Sequence, residues 1–229
     1  MKKILVVVTN TSIYPNRIKT TGVWFQEVVH FVDKLIHVGY EVDYVSPKGG
    51  YTPIDPGCLT KEQMTELDWK YYTDQAFLNK LGTTLSPQNI NPNEYEAIYY
   101  AGGHGVMWDF ADNEELQTIA STIYKNGGIV SAVCHGVVGL INIKNEASDH
   151  LIKDKMVTGF TNTEEIAVGL DKVVPFLTED ELKRVGANYV KGADWQEFAV
   201  VDERIVTGQN PSSGGAVAEE VIKLLKCEK

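Results

Sequence analysis

The chain predicts an α/β fold around a mostly parallel sheet, and three observations carry that reading. Strand-like apolar runs alternate with helix-period patterns from the first residues onward. An apolar run over 128–133 stops abruptly at Cys134-His135-Gly136, and a second run, Ala97-Ile98-Tyr99-Tyr100, stops at Ala101-Gly102-Gly103-His104-Gly105. Strands that end in tight, small-residue turns bring polar groups to the carboxyl edge of a sheet, where open α/β sheets bind ligands. With 229 residues and 43% hydrophobic content, the chain can bury a sizeable core as one domain over 1–229.

The elements follow in order. Ile4-Leu5-Val6-Val7-Val8 is a first buried strand. It is too short for a signal sequence, because the apolar run ends at Thr9-Asn10-Thr11. Trp24, Val28, Phe31, Val32 and Leu35 share one face of a helix that ends near Gly39, and 41–46 is a second strand. Residues 47–93 change character. Pro and Gly punctuate their start, and Trp69, Tyr71 and Tyr72 follow, so they read as an insertion packed over the active-site edge of the sheet. After the 97–100 strand, Leu116, Ile119, Ala120 and Ile123 mark a helix stopped by Asn126-Gly127-Gly128. The strand leading to Cys134 comes next, and Gly136-Val137-Val138 reads as the opening of a helix. Residues 156–158 read as a short strand, 180–185 as a helix and 198–207 as a hairpin, and a final helix from Ser213 carries Val217, Val221, Leu224 and Leu225 inward.

Composition excludes several classes of function. A formal charge of −10 argues against a nucleic-acid partner, which needs clustered Lys and Arg. No apolar run is long enough to span a bilayer. The three cysteines Cys58, Cys134 and Cys227 show neither disulfide nor zinc spacing, which fits a reducing, cytoplasmic setting.

Cys134 belongs on a strand-to-turn elbow, the geometry that exposes a nucleophile at the sheet edge, and a following helix N-terminus would favour its thiolate. The other reading is a buried structural thiol. Amides of the Gly102-Gly103 turn, with that of His135, are candidate oxyanion donors, and Gly102, Gly103 and His104 are candidates for holding substrate. The Gly102-Gly103-His104-Gly105 turn does not match a phosphate or dinucleotide fingerprint. Glu27 borders the buried face of the first helix near its N-terminus. A carboxyl desolvated there would keep its proton and could donate to sulfur. His135 can serve as a base if an acid orients it, with Glu164, Glu165 or, more remotely, Asp194 as the orienter. His30, His37 and His150 read as surface positions and His104 as isolated, so no metal is assigned.

These segments together resemble the ThiJ/PfpI superfamily. The resemblance rests on Ala132-Val133-Cys134-His135-Gly136, Ala101-Gly102-Gly103-His104-Gly105 and Thr21-Gly22-Val23-Trp24-Phe25-Gln26-Glu27, with further likeness at 41–47, 159–167, 186–189 and 206–211, and it spans nearly the whole chain. Within the superfamily the likeness is to the heat-shock chaperone and glyoxalase III branch. It implies a flavodoxin-like α/β/α sandwich with Cys134 as nucleophile, Glu27 hydrogen-bonded to it, His135 as the matching histidine and Glu165 as third member, a one-residue slip choosing Glu164. The Cys-Gly-Gly elbow and distant His-x-Glu of the amidotransferase side are not found, which argues against glutamine hydrolysis. The zinc ligands of larger chaperone members have no counterpart either. The resemblance thus implies a cofactor-independent glyoxalase acting on a small reactive carbonyl, methylglyoxal to lactate through a cysteine hemithioacetal, and a homodimer. The alternatives are a deglycase or peptidase-like hydrolase, and a holdase for unfolded clients or redox sensor.

Overall fold

In the computed structural model, residues 3–227 are described. The strands are β1 (Lys3–Val7), β2 (Glu41–Val45), β3 (Tyr95–Tyr100), β4 (Ile129–Val133), β5 (Met156–Val157), β6 (Asn188–Tyr189), β7 (Ala199–Asp202) and β8 (Ile205–Gly208). The helices are α1 (Phe25–His37), α2 (Glu66–Tyr72), α3 (Gln75–Gly82), α4 (Glu114–Lys125), α5 (Asn162–Ala167), α6 (Thr178–Arg184) and α7 (Gly214–Cys227). Six strands form one sheet in the order β2-β1-β3-β4-β8-β7, parallel except for the antiparallel edge strand β7. The expected α/β/α sandwich with a mostly parallel sheet is therefore observed. Among the described residues no helix is long and apolar enough to cross a membrane.

Because helices cover both faces, β1 is apolar at every step from Ile4 to Val7 rather than at alternate ones. Ile4 and Val6 point into one core with the buried stripe of α1 and with Val217, Val221 and Leu225 of α7. Leu5 and Val7 point into the other, with Leu116, Ile119 and Ile123 of α4 and Leu182 of α6. Phe31 of α1 stacks flat on Tyr99 of β3, with ring centroids 3.6 Å apart, and the Tyr99 hydroxyl donates to the Glu27 carbonyl at 2.9 Å. That bond, worth about 1 kcal/mol, fixes the first turn of α1 over β3. The strand order reverses between β1 and β3, which opens a crevice at their carboxyl ends, and α1 starts there.

Three details depart from the sequence expectations. Residues 47–93 contain two helices: α2 is closed by a Thr65/Asp68 capping box and α3 is capped by Asp74, and both pack their apolar sides onto α1's core. Cys134–Leu140 is a buried 3-10 helix rather than the opening of an α-helix. A Cβ on Gly136 would overlap the Tyr100 carbonyl oxygen, and one on Gly139 would strike the Tyr100 ring, so small residues let this segment lie close on β3. The short strand near 156 does form, but it pairs with β6 beside the main sheet.

Candidate active site

The end of β4 turns sharply at Cys134, whose φ of 57° lies in the left-handed region that non-glycine residues avoid. Such strain persists only where the surroundings fix it, and here they do: Phe160 N–H donates to the Cys134 carbonyl at 3.3 Å, and the 3-10 segment that follows is wholly buried. Cys134 is 2% exposed and lies at the floor of a cavity of about 420 Å³ whose lining includes Trp24, Gly103, His104, His135, Phe160 and Trp195.

Glu27 reaches this floor from the first turn of α1. Periodicity places it at the border of the buried face, yet it is fully buried, because the turn after β3 and the Cys134 elbow close over it. Its Oε2 accepts the Gly102 N–H at 2.6 Å. Its Oε1 is buried without a hydrogen-bond partner, and the Cys134 thiol is the neighbouring side chain that acts on the carboxyl. Burial pushes the Glu27 carboxyl up to about 8, so it is protonated at neutral pH. Burial is the main cause that raises the Cys134 thiol well above its ordinary value; Glu27 adds to the rise where it is ionised, and the His135 backbone N–H opposes the shift. The expected thiolate-favouring helix terminus is therefore outweighed. The resting pair shares its protons between carboxyl and sulfur.

Gly102 corrects another expectation. Its N–H is taken by Glu27 and is not free for an oxyanion, and a Cβ there would lie 2.7 Å from Glu27 Oε2 and 3.0 Å from Cys134 Cβ. Glycine at this position lets acid and thiol meet. Gly103 and His104 do line the cavity.

His135 sits between sulfur and carboxylate. Its Nδ1 is 3.3 Å from Cys134 Sγ and its Nε2 is 2.7 Å from Glu165 Oε2. The other oxygen of Glu165 meets His104 Nε2 at 2.8 Å, and the two imidazole centroids are 4.1 Å apart. His104, read from sequence as isolated, thus shares one carboxylate with His135. Although burial opposes ionisation of Glu165, the His135 charge and the hydrogen bonds from both rings hold its carboxyl far below the usual range. An ionised Glu165 can accept N–H from both histidines, and with His135 neutral that leaves its Nδ1 as the acceptor facing the thiol. Burial, then the charge of His135, lowers His104, so its ring favours the neutral form.

Neighbouring Glu164 faces elsewhere. It closes a capping box with Thr161 at the start of α5 and accepts from Trp195 N–H (2.8 Å), Asn210 Nδ2 (2.9 Å) and Gln209 Nε2 (3.2 Å). Asp194 accepts the Thr163 hydroxyl at 2.7 Å and does not meet either ring. Cys58 is buried in the α1 core and Cys227 is exposed. The ligand atoms of His104, His135 and Glu165 lie within 4.8 Å of one another, a donor set that could hold a metal at the cost of both histidine–carboxylate hydrogen bonds. Spacing did not show it, since the partners stand 61 and 30 residues apart. The cavity walls Gln63, Phe160, Val168 and Trp195 were also not anticipated. Each comes from a loop or a short element with no periodic signal. A thiol with a base on one side and a protonated acid on the other can add to an electrophilic carbonyl and relay protons between its carbons.

The same arrangement of chain occurs in known proteins. Over 98% of both chains, the sequence is 34% identical to the glutathione-independent glyoxalase HSP31 of Saccharomyces cerevisiae. It is 33% identical to glyoxalase 3 of Candida albicans, covering 99% of this chain and 100% of that protein. A crystal structure of glyoxalase III from Candida albicans superposes with a TM-score of 0.91 at 31% identity over 99% and 98% of the two chains. The 24 kDa rapid encystment protein of Francisella tularensis superposes at 0.94 with 39% identity over 98% and 99%. Drosophila melanogaster DJ-1beta, at 14% identity and a TM-score of 0.61, shares the fold. The DJ-1/PfpI family pattern spans residues 20–224, from the loop before α1 through both elbows into α7, and the chain belongs to the DJ-1/PfpI family.

Proposed function

We propose that this protein is a glutathione-independent glyoxalase that converts methylglyoxal to lactate with Cys134 as nucleophile. The observation that carries the reading is the buried Cys134 thiol set between the buried Glu27 carboxyl and His135 Nδ1 at 3.3 Å, with His135 Nε2 held at 2.7 Å by Glu165. The names borne by the relatives at 33–34% identity support it.

In the proposed sequence His135 Nδ1 takes the thiol proton as sulfur bonds to the aldehyde carbon, and Glu27 gives its proton to the aldehyde oxygen, forming a hemithioacetal. The Glu27 carboxylate then removes the hydrogen from that carbon while protonated His135 delivers its proton to the ketone oxygen, giving an enediol. Glu27 returns a proton to the former ketone carbon, the hydroxyl on the sulfur-bearing carbon passes its own to the Glu27 carboxylate, and a thioester of lactate results. Water activated by His135 hydrolyses it and restores the thiol. The aldehyde carbon is oxidised and the ketone carbon reduced by the same electron pair, so the sequence balances without an external oxidant or reductant. The Gly103 and His135 amides are the proposed donors to the developing oxyanion, and Glu165 holds His135 in the tautomer the first step needs.

Purified protein should release lactate from methylglyoxal without glutathione, and Cys134→Ser should lower the rate by at least about 10³-fold. Undiminished turnover by Cys134→Ser would remove Cys134 from the reaction.

A further inference from the structure

The cavity is large for a three-carbon dicarbonyl. At about 420 Å³ it lies within the size range of pockets that enclose drug-sized ligands, and a methyl group on the ketone carbon would leave most of it to water. Beyond the catalytic floor, its walls are chiefly Trp24, Phe160, Val168, Trp195 and Pro211, and no Lys, Arg, Asp or Glu side chain is among the lining residues. Gln63 and Ser212 are the polar members; such walls offer no charge to a phosphate or carboxylate on the substrate and a broad surface to an apolar group.

Trp195 is the wall residue that is hardest to explain as packing. Its φ is 64°, a conformation unfavourable for a bulky side chain and easily taken by glycine, and the residue is 43% exposed and lines the cavity. The strain is held by a dedicated set of bonds. Glu164 accepts the Trp195 N–H at 2.8 Å, and the Ser212 hydroxyl donates to its carbonyl at 3.1 Å. Asn210 donates to the Gln196 carbonyl at 2.8 Å, and Gln209 accepts the Gly192 N–H at 2.8 Å. The indole is thereby set edge-on to Phe160, centroids 5.7 Å apart, and Phe160 in turn lies 4.3 Å from the His135 ring. An aromatic wall thus runs unbroken from the base to the mouth. Strain kept by surrounding structure marks a position whose side chain is used.

Resting on the glyoxalase reading, we propose that the site prefers 2-oxoaldehydes whose ketone carbon bears an uncharged aromatic or branched apolar group, and that Trp195 is the residue that sets this preference. The chemistry is unchanged: the aldehyde carbon becomes carboxylate, the ketone carbon becomes a secondary alcohol, and one water is consumed. Phenylglyoxal then yields mandelate as methylglyoxal yields lactate.

The test compares kcat/KM for phenylglyoxal and methylglyoxal, with mandelate and lactate quantified, in wild type, Trp195→Gly and Trp195→Phe. Wild type should favour phenylglyoxal by about tenfold or more. Trp195→Gly suits the local backbone and removes the wall; its phenylglyoxal-to-methylglyoxal ratio should fall about tenfold through the KM for phenylglyoxal, and Trp195→Phe should restore most of it. Intrinsic reactivity of the two aldehydes cancels between variants. A wild-type ratio at or below one, or the same ratio in Trp195→Gly, overturns this proposal while lactate formation leaves the glyoxalase reading standing. If wild type converts neither aldehyde, both fall together.

Discussion

At the scale of single residues, the site turns on where one proton rests. Glu27 holds it because its carboxyl is fully buried, an effect that the Gly102 N–H and the Cys134 thiol only partly oppose. Catalysis that begins with protonated Glu27 should fade as pH rises through about 8, so kcat/KM for methylglyoxal, measured as lactate between pH 6 and 9.5, should decline on the alkaline side. Glu27→Gln keeps an acceptor for Gly102 but cannot relay protons, and should lose about 10²- to 10⁴-fold. A profile flat to pH 9.5 would take the acid role from Glu27. The sequence brought Cys134, His135, Glu27 and Glu165 forward as separate candidates. It did not reveal that Gly102 serves the acid rather than an oxyanion, nor that His104 shares Glu165, because both facts depend on contacts across 75 and 61 residues.

At the scale of elements, each part of the machinery sits on the end of something rigid. Glu27 rides the first turn of α1, Cys134 the end of β4 and Glu165 the capped start of α5. The two adjacent glutamates of α5 divide the work: Glu165 faces the histidines, while Glu164 ties 192–196 and the segment after β8 to the helix. Removing that buried acceptor by Glu164→Ala leaves several donors unpaired, and should cost about 2–4 kcal/mol in urea unfolding and loosen the Trp195 wall. A change below about 0.5 kcal/mol would show that the loop holds by other means. Strands and long helices were legible from periodicity. The insertion's helices were missed although Thr65-Glu66-Leu67-Asp68 spells a capping box and Asp74 an N-cap, because a short helix with few apolar positions gives no clear period. The 3-10 segment after Cys134 was taken for an α-helix because Gly-Val-Val opens either; close packing on Tyr100 decides it.

At the scale of the molecule, the retained proton has a thermodynamic cost. The Glu27 carboxyl titrates near 4.5 in the unfolded chain and near 8 in the folded one, so between these pH values the folded state binds the extra proton. Its contribution is fully present below pH 4.5 and falls as pH rises to about 8, a loss of roughly 3 kcal/mol by pH 7. Glu165, held below its ordinary value, acts in the opposite sense and loses its contribution on acidification. Glu27→Gln should therefore gain stability over wild type as pH is raised from 5 to 8, read as a growing difference in urea midpoint; a constant difference would contradict the shifted carboxyl. The overall architecture was legible because a two-faced parallel sheet writes continuous apolar runs into its strands, whereas the cavity walls come from loops that only the assembled sheet brings together. That assembly also bears on biosynthesis. A chain emerging from the ribosome presents Cys134 before Phe160, Glu164 and β8, the strand beside β4, have been made, so during that interval the burial that raises its pKa is incomplete. Completion of the C-terminal third is what turns an ordinary cysteine, open to indiscriminate modification by the very carbonyls it is proposed to consume, into a guarded one.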